Sequence, residues 1–390
     1  MNRLFTLRSL GYEEAGNDIW FANLYFNGLV RVNKATGRIE DIHKFPGHAV
    51  SRDWLYSTVY SVKDSLVFIP NTSGEIAAYS METGEFALTP LDPAWIGKKK
   101  TYFASAYRYK DYVYLFPLGA KCMVRYDAND HSVKYLDNCI RELLEALPET
   151  SYGLYQQFEV VEGKIYMPFL EKNAVAVFDP GDESAEIRYL DIEGGCSTIN
   201  YIDGFFYLAS WNRPEIYRWN METGEILTYK GFPEDTAGGK IFLYACYMEE
   251  FLLFFPEQRE WMLSLSVKTG EMRRLKQIYN PEEEGKNTFF VKETEEGICI
   301  LASDMENPHL LSYERGRIGM KPICRLDRDY NQNRICDYLL KEGYYNGCLE
   351  TEKGLKSFVE VITGAGDISQ AEEKRPVWGE KTFRRLKEIR

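Results

Sequence analysis

A five-residue turn recurs along this chain at nearly constant spacing. It reads Lys34-Ala35-Thr36-Gly37-Arg38, Met81-Glu82-Thr83-Gly84-Glu85, Met221-Glu222-Thr223-Gly224-Glu225 and Val267-Lys268-Thr269-Gly270-Glu271. Each copy follows an alternating apolar run and precedes another short one. That is the pattern of two strands joined by a tight turn whose glycine takes positive φ. Gly37 and Gly84 are 47 residues apart, Gly224 and Gly270 are 46 apart, and the middle gap of 140 is close to three such intervals. Two worn copies are therefore expected between them, at Tyr126-Asp127-Ala128-Asn129-Asp130-His131 and at Phe178-Asp179-Pro180-Gly181, both turn-forming runs after apolar strands. One further step reaches Arg315-Gly316. Seven strand-only repeats of this length predict an all-β, seven-bladed β-propeller of four-stranded antiparallel blades.

The second copy shows the unit most clearly: strands at Tyr56–Val62, Leu66–Pro70, Ile76–Tyr79 and Phe86–Thr89. The other second strands are read at Asp18–Asn23, Tyr112–Pro117, Lys164–Pro168, Phe205–Ala209, Phe251–Pro256 and Gly297–Ala302. They carry the densest apolar and aromatic runs, as buried central strands do. Counting back 33 residues from Gly37, as from Gly84 to Ser51, places the innermost strand of the first blade at Phe5–Leu10. The ring is then expected to close with every sheet built in sequence order and no shared blade. Arg141–Leu147, ended by Pro148, reads as a short helix between the third and fourth blades, and Asn280–Gly285 as a solvated loop before the seventh. The propeller is assigned to residues 1–326 and a tail to 327–390, with two short helices docked on the propeller. Leu355, Phe358, Val359 and Ile362 mark the first tail helix, and Phe383, Leu386 and Ile389 the second.

The net charge is −12, and because residues 327–390 carry twelve basic and twelve acidic groups, the propeller holds the whole excess. An acidic surface disfavours nucleic acid and anionic lipid as main partners. No apolar run reaches the length of a membrane span, and the first residues carry no signal-peptide pattern. Eight cysteines without a CxxC pair, most of them inside apolar runs, read as buried small hydrophobes in a reducing compartment, so a cytoplasmic location is expected. No metal site and no cofactor are expected.

Strand order fixes which loops share a face. The first-to-second and third-to-fourth turns, including every Thr-Gly turn, open on one side, the turn face. The second-to-third loops and the approaches to each first strand open on the other, the variable face, which is rich in large polar residues. Loops on a rigid scaffold carry function. The candidate ligand-binding residues are Asn23, Arg52, Trp54, Asn71, Lys100, Tyr102, Tyr155, Gln156, Trp211, Arg213 and Arg259. Aromatic faces would stack on a ligand, and Arg forks would grip carboxylate or phosphate. His48 near Asp53 offers a base with an orienting carboxylate, whereas Asp127, Asp130 and His131 fall on a turn and read as turn formers. There is no GxSxG, P-loop, HExxH or dinucleotide fingerprint.

The run Tyr217-Arg218-Trp219-Asn220-Met221-Glu222-Thr223-Gly224-Glu225-Ile226 resembles the repeat of quinoprotein-like and YVTN-type β-propellers, and in length the kelch repeat. The quinoprotein repeat places a Trp shortly after the turn glycine, and none follows Gly37, Gly84, Gly224 or Gly270. The kelch Gly-Gly pair is also absent, so the resemblance implies the fold and no quinone cofactor. The expectation is a non-catalytic binding propeller that presents its variable face to a protein or glycan partner. The alternative is an enzyme acting on an anionic sugar or related small metabolite in the central funnel.

Overall fold

The computed structural model describes residues 7–51, 53–97, 101–230, 242–256, 261–276, 289–294, 296–302, 308–314 and 317–344. Contacts divide the chain into two units, Thr6–Asp327 and a second one of Arg328–Arg390 with Met1–Phe5. The first unit is a ring of seven four-stranded antiparallel sheets, each with its strands in sequence order. Blade 1 covers Glu13–Lys44, blade 2 Tyr56–Pro90, blade 3 Phe103–Tyr135, blade 4 Glu159–Tyr189, blade 5 Cys196–Tyr229, blade 6 Phe242–Lys276 and blade 7 Phe289–Pro322. The first strands of blades 1, 2 and 3 touch in succession, as do those of blades 4, 5, 6 and 7, so they line the axis. The second strands fall where the apolar runs put them to within one residue, the one in blade 2 starting at Ser65 and the one in blade 5 running to Ser210.

The turn chemistry explains the repeat. In the copy at Gly224 the Asn220 carboxamide accepts from the amides of Glu222 and Thr223 at 2.9 and 3.0 Å, and the Gly224 amide donates to the Asn220 carbonyl at 2.9 Å. Asn33, Ser80 and Ser266 cap their turns in the same way. In the worn copies Asp127 and Asp179 accept from Asn129 and Gly181. There the left-handed position belongs to His131 (φ 60°) and Glu183 (φ 62°), so Gly181 is not the equivalent of the turn glycines. The copy at Arg315-Gly316 lies outside the described residues.

The innermost strand of blade 1 is Glu13–Ala15, not Phe5–Leu10. Leu7–Leu10 follow the path of the other blades, with the Arg8 carbonyl accepting from the Leu24 amide at 2.8 Å. The Ser9 hydroxyl then accepts from the Gly11 amide at 3.1 Å and takes this stretch out of the ladder. Phe5 and Thr6 lie outside the described residues. The ring still closes without a shared blade. Lys292 of blade 7 reaches Glu13 at 2.6 Å, and past the last strand the Asp327 amide donates to the Gly37 carbonyl at 3.0 Å. Arg38 Nε meets the Asp327 carboxylate at 2.9 Å. Gly37 has φ +66°, and a Cβ there would overlap the Arg325 carbonyl, so the clasp can pass only over a glycine.

Helix α1 (Pro93–Ile96) is capped by Asp92, and α2 (Cys139–Glu145) by Asn138, whose side chain accepts from Ile140 and Arg141. The α2 cap sets its start two residues before the expected Arg141. In the second unit α3 (Arg328–Lys341) buries Asn331, Ile335, Cys336 and Leu339. The two expected tail helices and the Asn280–Gly285 loop lie outside the described residues. The seven described cysteines form no disulfide, and six of them are buried. Among the described residues no helix is long and apolar enough to cross a membrane.

Candidate functional site

The variable face is tied together by backbone hydrogen bonds that pass from blade to blade. The Asn71 amide donates to the Leu55 carbonyl at 2.8 Å, Tyr102 to Asn71 at 2.8 Å, Leu118 to Tyr102 at 2.9 Å and Gly153 to Leu118 at 2.7 Å. Leu170 then donates to Gly153, Cys196 to Phe169 and Trp211 to Gly195, each at 2.9 Å. Gly195 is needed for the close approach, because a Cβ there would overlap the carbonyls of Phe169 and Leu170. The chain of bonds runs from blade 2 to blade 5 and fixes the backbones of three candidate residues, Asn71, Tyr102 and Trp211.

At the axis, blade 4 departs from its neighbours. Blades 2, 3, 5 and 6 each carry a one-residue irregularity at the start of the first strand, at Ser57, Ala104, Ser197 and Leu243. In blade 4 the irregularity is wider: Leu154 pairs with Phe169 and the ladder resumes only at Glu159 with Tyr166. Bulges re-aim side chains. Here Tyr155, Gln156 and Gln157 are sent toward blades 5 and 6. The Gln157 carboxamide accepts from the Ala245 amide at 2.9 Å and donates to the carbonyls of Ala245 (2.7 Å) and Ile199 (3.0 Å). An innermost strand has one unpaired edge, and Gln157 satisfies part of it as a neighbouring strand would. Gln156 accepts from the Tyr244 hydroxyl. Burial lifts the Tyr244 phenol well above its ordinary value, with Tyr155 and Tyr60 adding to the effect, so it stays protonated as a donor. The Tyr155 ring lies 5.6 Å from Trp211 and 6.5 Å from Tyr244. The structure thus brings together three candidates, Tyr155, Gln156 and Trp211, in a neutral amide and aromatic cluster. Trp211 is only 7% exposed and is part of its wall.

A second group stands on blades 1 and 2. Trp54 is 39% exposed although its backbone is left-handed, with φ 53°. Its carbonyl accepts from the Asn71 carboxamide at 3.0 Å and from the Thr72 hydroxyl at 3.3 Å. Asn71 is therefore a buried support for Trp54. His48 Nε2 meets Glu75 Oε1 at 2.9 Å, while Asp53 is engaged by the Ser51 hydroxyl, so the partner of this histidine is Glu75.

The remaining candidates are apart. Asn23 is buried and caps its own loop, accepting from the Tyr25 amide at 2.8 Å. Arg213 is matched to Glu193 and to Glu215 at 3.6 Å, and Glu215 also meets Lys230 at 3.1 Å. Arg52, Lys100 and Arg259 lie outside the described residues. Asp127 and Asp130 hold turn amides, and the His131 ring meets the Tyr126 hydroxyl at 2.6 Å. Among the described residues no cluster of His, Cys, Asp or Glu could hold a metal ion. Sequence reasoning missed Gln157 and Tyr244. The one extra residue between Gly153 and the Glu162 turn, set against the other blades, is the signal that could have pointed to the first.

The fold and this loop arrangement define a seven-bladed β-propeller. No protein-family model and no curated protein matches the chain. Among solved structures, it is similar to the computationally designed Ika8 protein at 10% identity, over 81% of this chain and 94% of that one, with a TM-score of 0.50. It is also similar to the extracellular domain of a putative hybrid two-component system from B. thetaiotaomicron at 11% identity, with a TM-score of 0.51. That match covers 77% of this chain and 37% of the other, so this chain spans little over a third of that protein. At these identities the likeness shows the fold alone.

Proposed function

We propose that this protein is a non-catalytic binding propeller whose variable face engages a protein or glycan partner, with Trp54 as an anchor. The observation that carries the reading is the Trp54 backbone. A bulky residue in the left-handed region costs on the order of 1–3 kcal/mol and persists only where its surroundings hold it. Asn71 and Thr72 hold it, and the result is an exposed indole on a rigid loop. Large aromatic side chains of this kind supply most of the contact energy in recognition sites. The test compares the full chain with Trp54→Asn, which tolerates the same backbone, on a glycan array and in affinity capture from a lysate. Loss of the bound species in the variant supports the reading. Equal capture by both proteins refutes it.

The His48–Glu75 pair one loop away favours a second reading, an enzyme acting on an anionic sugar or related metabolite. A thermal-shift screen against uronates and sugar phosphates, followed by turnover assays on any hit, separates the two.

A further inference from the structure

The opposite end of the ring carries a pattern that the variable face does not explain. At one register of the first strand, next to the turn, blades 4, 5 and 6 place Val160, Tyr201 and Tyr247, paired with Ile165, Phe206 and Leu252. The three side chains are 37, 40 and 39% exposed, in blades 5 and 6 against strands that are otherwise mostly buried. Two residues later each blade turns, and the left-handed position is held by Glu162 (φ 50°), Asp203 (φ 50°) and Glu249 (φ 58°). Three consecutive blades therefore repeat an exposed apolar residue followed at the second position by an exposed carboxylate. Blades 2 and 3 read differently at the same register: Ser61 precedes Lys63, and Arg108 precedes Lys110. Lys63 is already matched to Asp111 at 3.0 Å. Among the described residues Glu162, Asp203 and Glu249 enter no ion pair. The first strands of blades 4, 5 and 6 touch in succession, and the Tyr201 amide donates to the Glu159 carboxylate at 3.3 Å, so the three sites form one arc over three of the seven blades.

We propose that this arc docks a linear, lysine- and arginine-rich peptide segment of a partner protein that carries interspersed apolar residues. Cationic side chains would lie over the tyrosine faces and meet the unpaired carboxylates. Apolar residues between them would cover Val160 and the exposed ring edges. Charge complementarity decides the class of occupant. A polyanion or an anionic membrane would be repelled by the three carboxylates, and a neutral apolar segment would leave them unpaired.

The test is fluorescence anisotropy of the full chain with a labelled twelve-residue peptide of alternating arginine, leucine and lysine. Micromolar affinity is expected, weakening several-fold when salt is raised from about 50 to about 300 mM. The triple variant Glu162→Gln, Asp203→Asn, Glu249→Gln keeps residues of similar size and should bind at least tenfold more weakly. The pair Tyr201→Ser, Tyr247→Ser should do the same, with unchanged melting temperatures showing that both variants fold. Trp54→Asn, on the other face, should bind as the wild type does. No binding at about 100 µM peptide, equal affinity in both arc variants, or loss of binding in Trp54→Asn would each overturn the proposal.

Discussion

Replacing Gly37 by alanine should be far more damaging than the same change at Gly224, although both sit at the same place in the repeat. Both glycines are left-handed, at φ +66° and +76°, and both amides donate to a carbonyl four residues back. Among the described residues nothing lies within 4 Å of the Cβ position at Gly224, so Gly224→Ala should cost only left-handed strain, roughly 1–2 kcal/mol. At Gly37 the same strain applies, and the new methyl would overlap the Arg325 carbonyl. The segment after blade 7 must then lift. That breaks the hydrogen bond from the Asp327 amide, worth about 1 kcal/mol. It also loosens the largely exposed Arg38–Asp327 pair, worth no more than about 0.5 kcal/mol. The expected total is about 3 kcal/mol, with Arg38→Ala alone costing about 0.5. Urea unfolding followed by tryptophan fluorescence reads both differences. If Gly37→Ala and Gly224→Ala agree within about 0.5 kcal/mol, the clasp does not hold the ring closed and the reasoning fails.

Gln157→Ala should destabilise by about 2–4 kcal/mol, because it removes three axial hydrogen bonds and strands the Ala245 amide; a loss below about 1 kcal/mol in the same urea assay would contradict the axial role. Glu183 meets Arg125 at 2.6 Å and also Lys134. Burial alone would raise its carboxyl, but the two cations outweigh burial and hold it below its ordinary value. Stability from this group is therefore present above the ordinary carboxylate range and lost as pH falls through the depressed value. Wild type and Glu183→Gln should differ at pH 7 and converge below about pH 4, and a pH-independent difference in urea midpoint would refute the linkage. Trp54→Asn should leave the unfolding free energy within about 1 kcal/mol of wild type while abolishing capture of a partner, since relief of strain offsets the lost partial burial.

The ring was legible in the sequence because a left-handed turn position is demanding. Gly37, Gly84, Gly224 and Gly270 satisfy it without strain, so they survive as punctuation. At His131 and Glu183 the glycine is gone, and what persists is the capping side chain four residues earlier, Asp127 or Asp179. The first strand of blade 1 was misplaced because the 33-residue count reaches the approach to a blade, as Ser51 does before Tyr56; the same register puts the strand at residues 9–15, of which the Ser9–Gly11 contact leaves Glu13–Ala15 in the ladder. The start of α2 was missed for want of weighing Asn138 as a cap, and α3 although Asn331, Ile335 and Leu339 repeat at every fourth residue. Of the candidate site, the aromatic members could be named from loop position alone. Their partners could not, because Gln157 meets Ala245 across 88 residues of chain and His48 meets Glu75 rather than the nearer Asp53.

The two faces hold the ring together by different means, and the difference explains where recognition can reside. On the variable face adjacent blades are joined through main-chain groups, as in the relay from Leu55 through Asn71, Tyr102, Leu118 and Gly153. Outside close approaches such as Gly195, a main-chain bond places little demand on the side chain, so Trp54, Tyr102 and Tyr155 can differ from copy to copy without opening the ring. On the turn face, apart from the main-chain bond of Asp327 to Gly37, the ties are ion pairs between side chains: Lys63 to Asp111 between blades 2 and 3, Arg125 and Lys134 to Glu183 between blades 3 and 4, and Lys292 to Glu13 between blades 7 and 1. Residues used in this way are committed and cannot serve a partner. Among the described residues such ion pairs lapse on this face between blades 4, 5 and 6, and there the carboxylates of Glu162, Asp203 and Glu249 stand beside exposed rings. Where the ring no longer needs charge for its own closure, charge is left over for something else to meet.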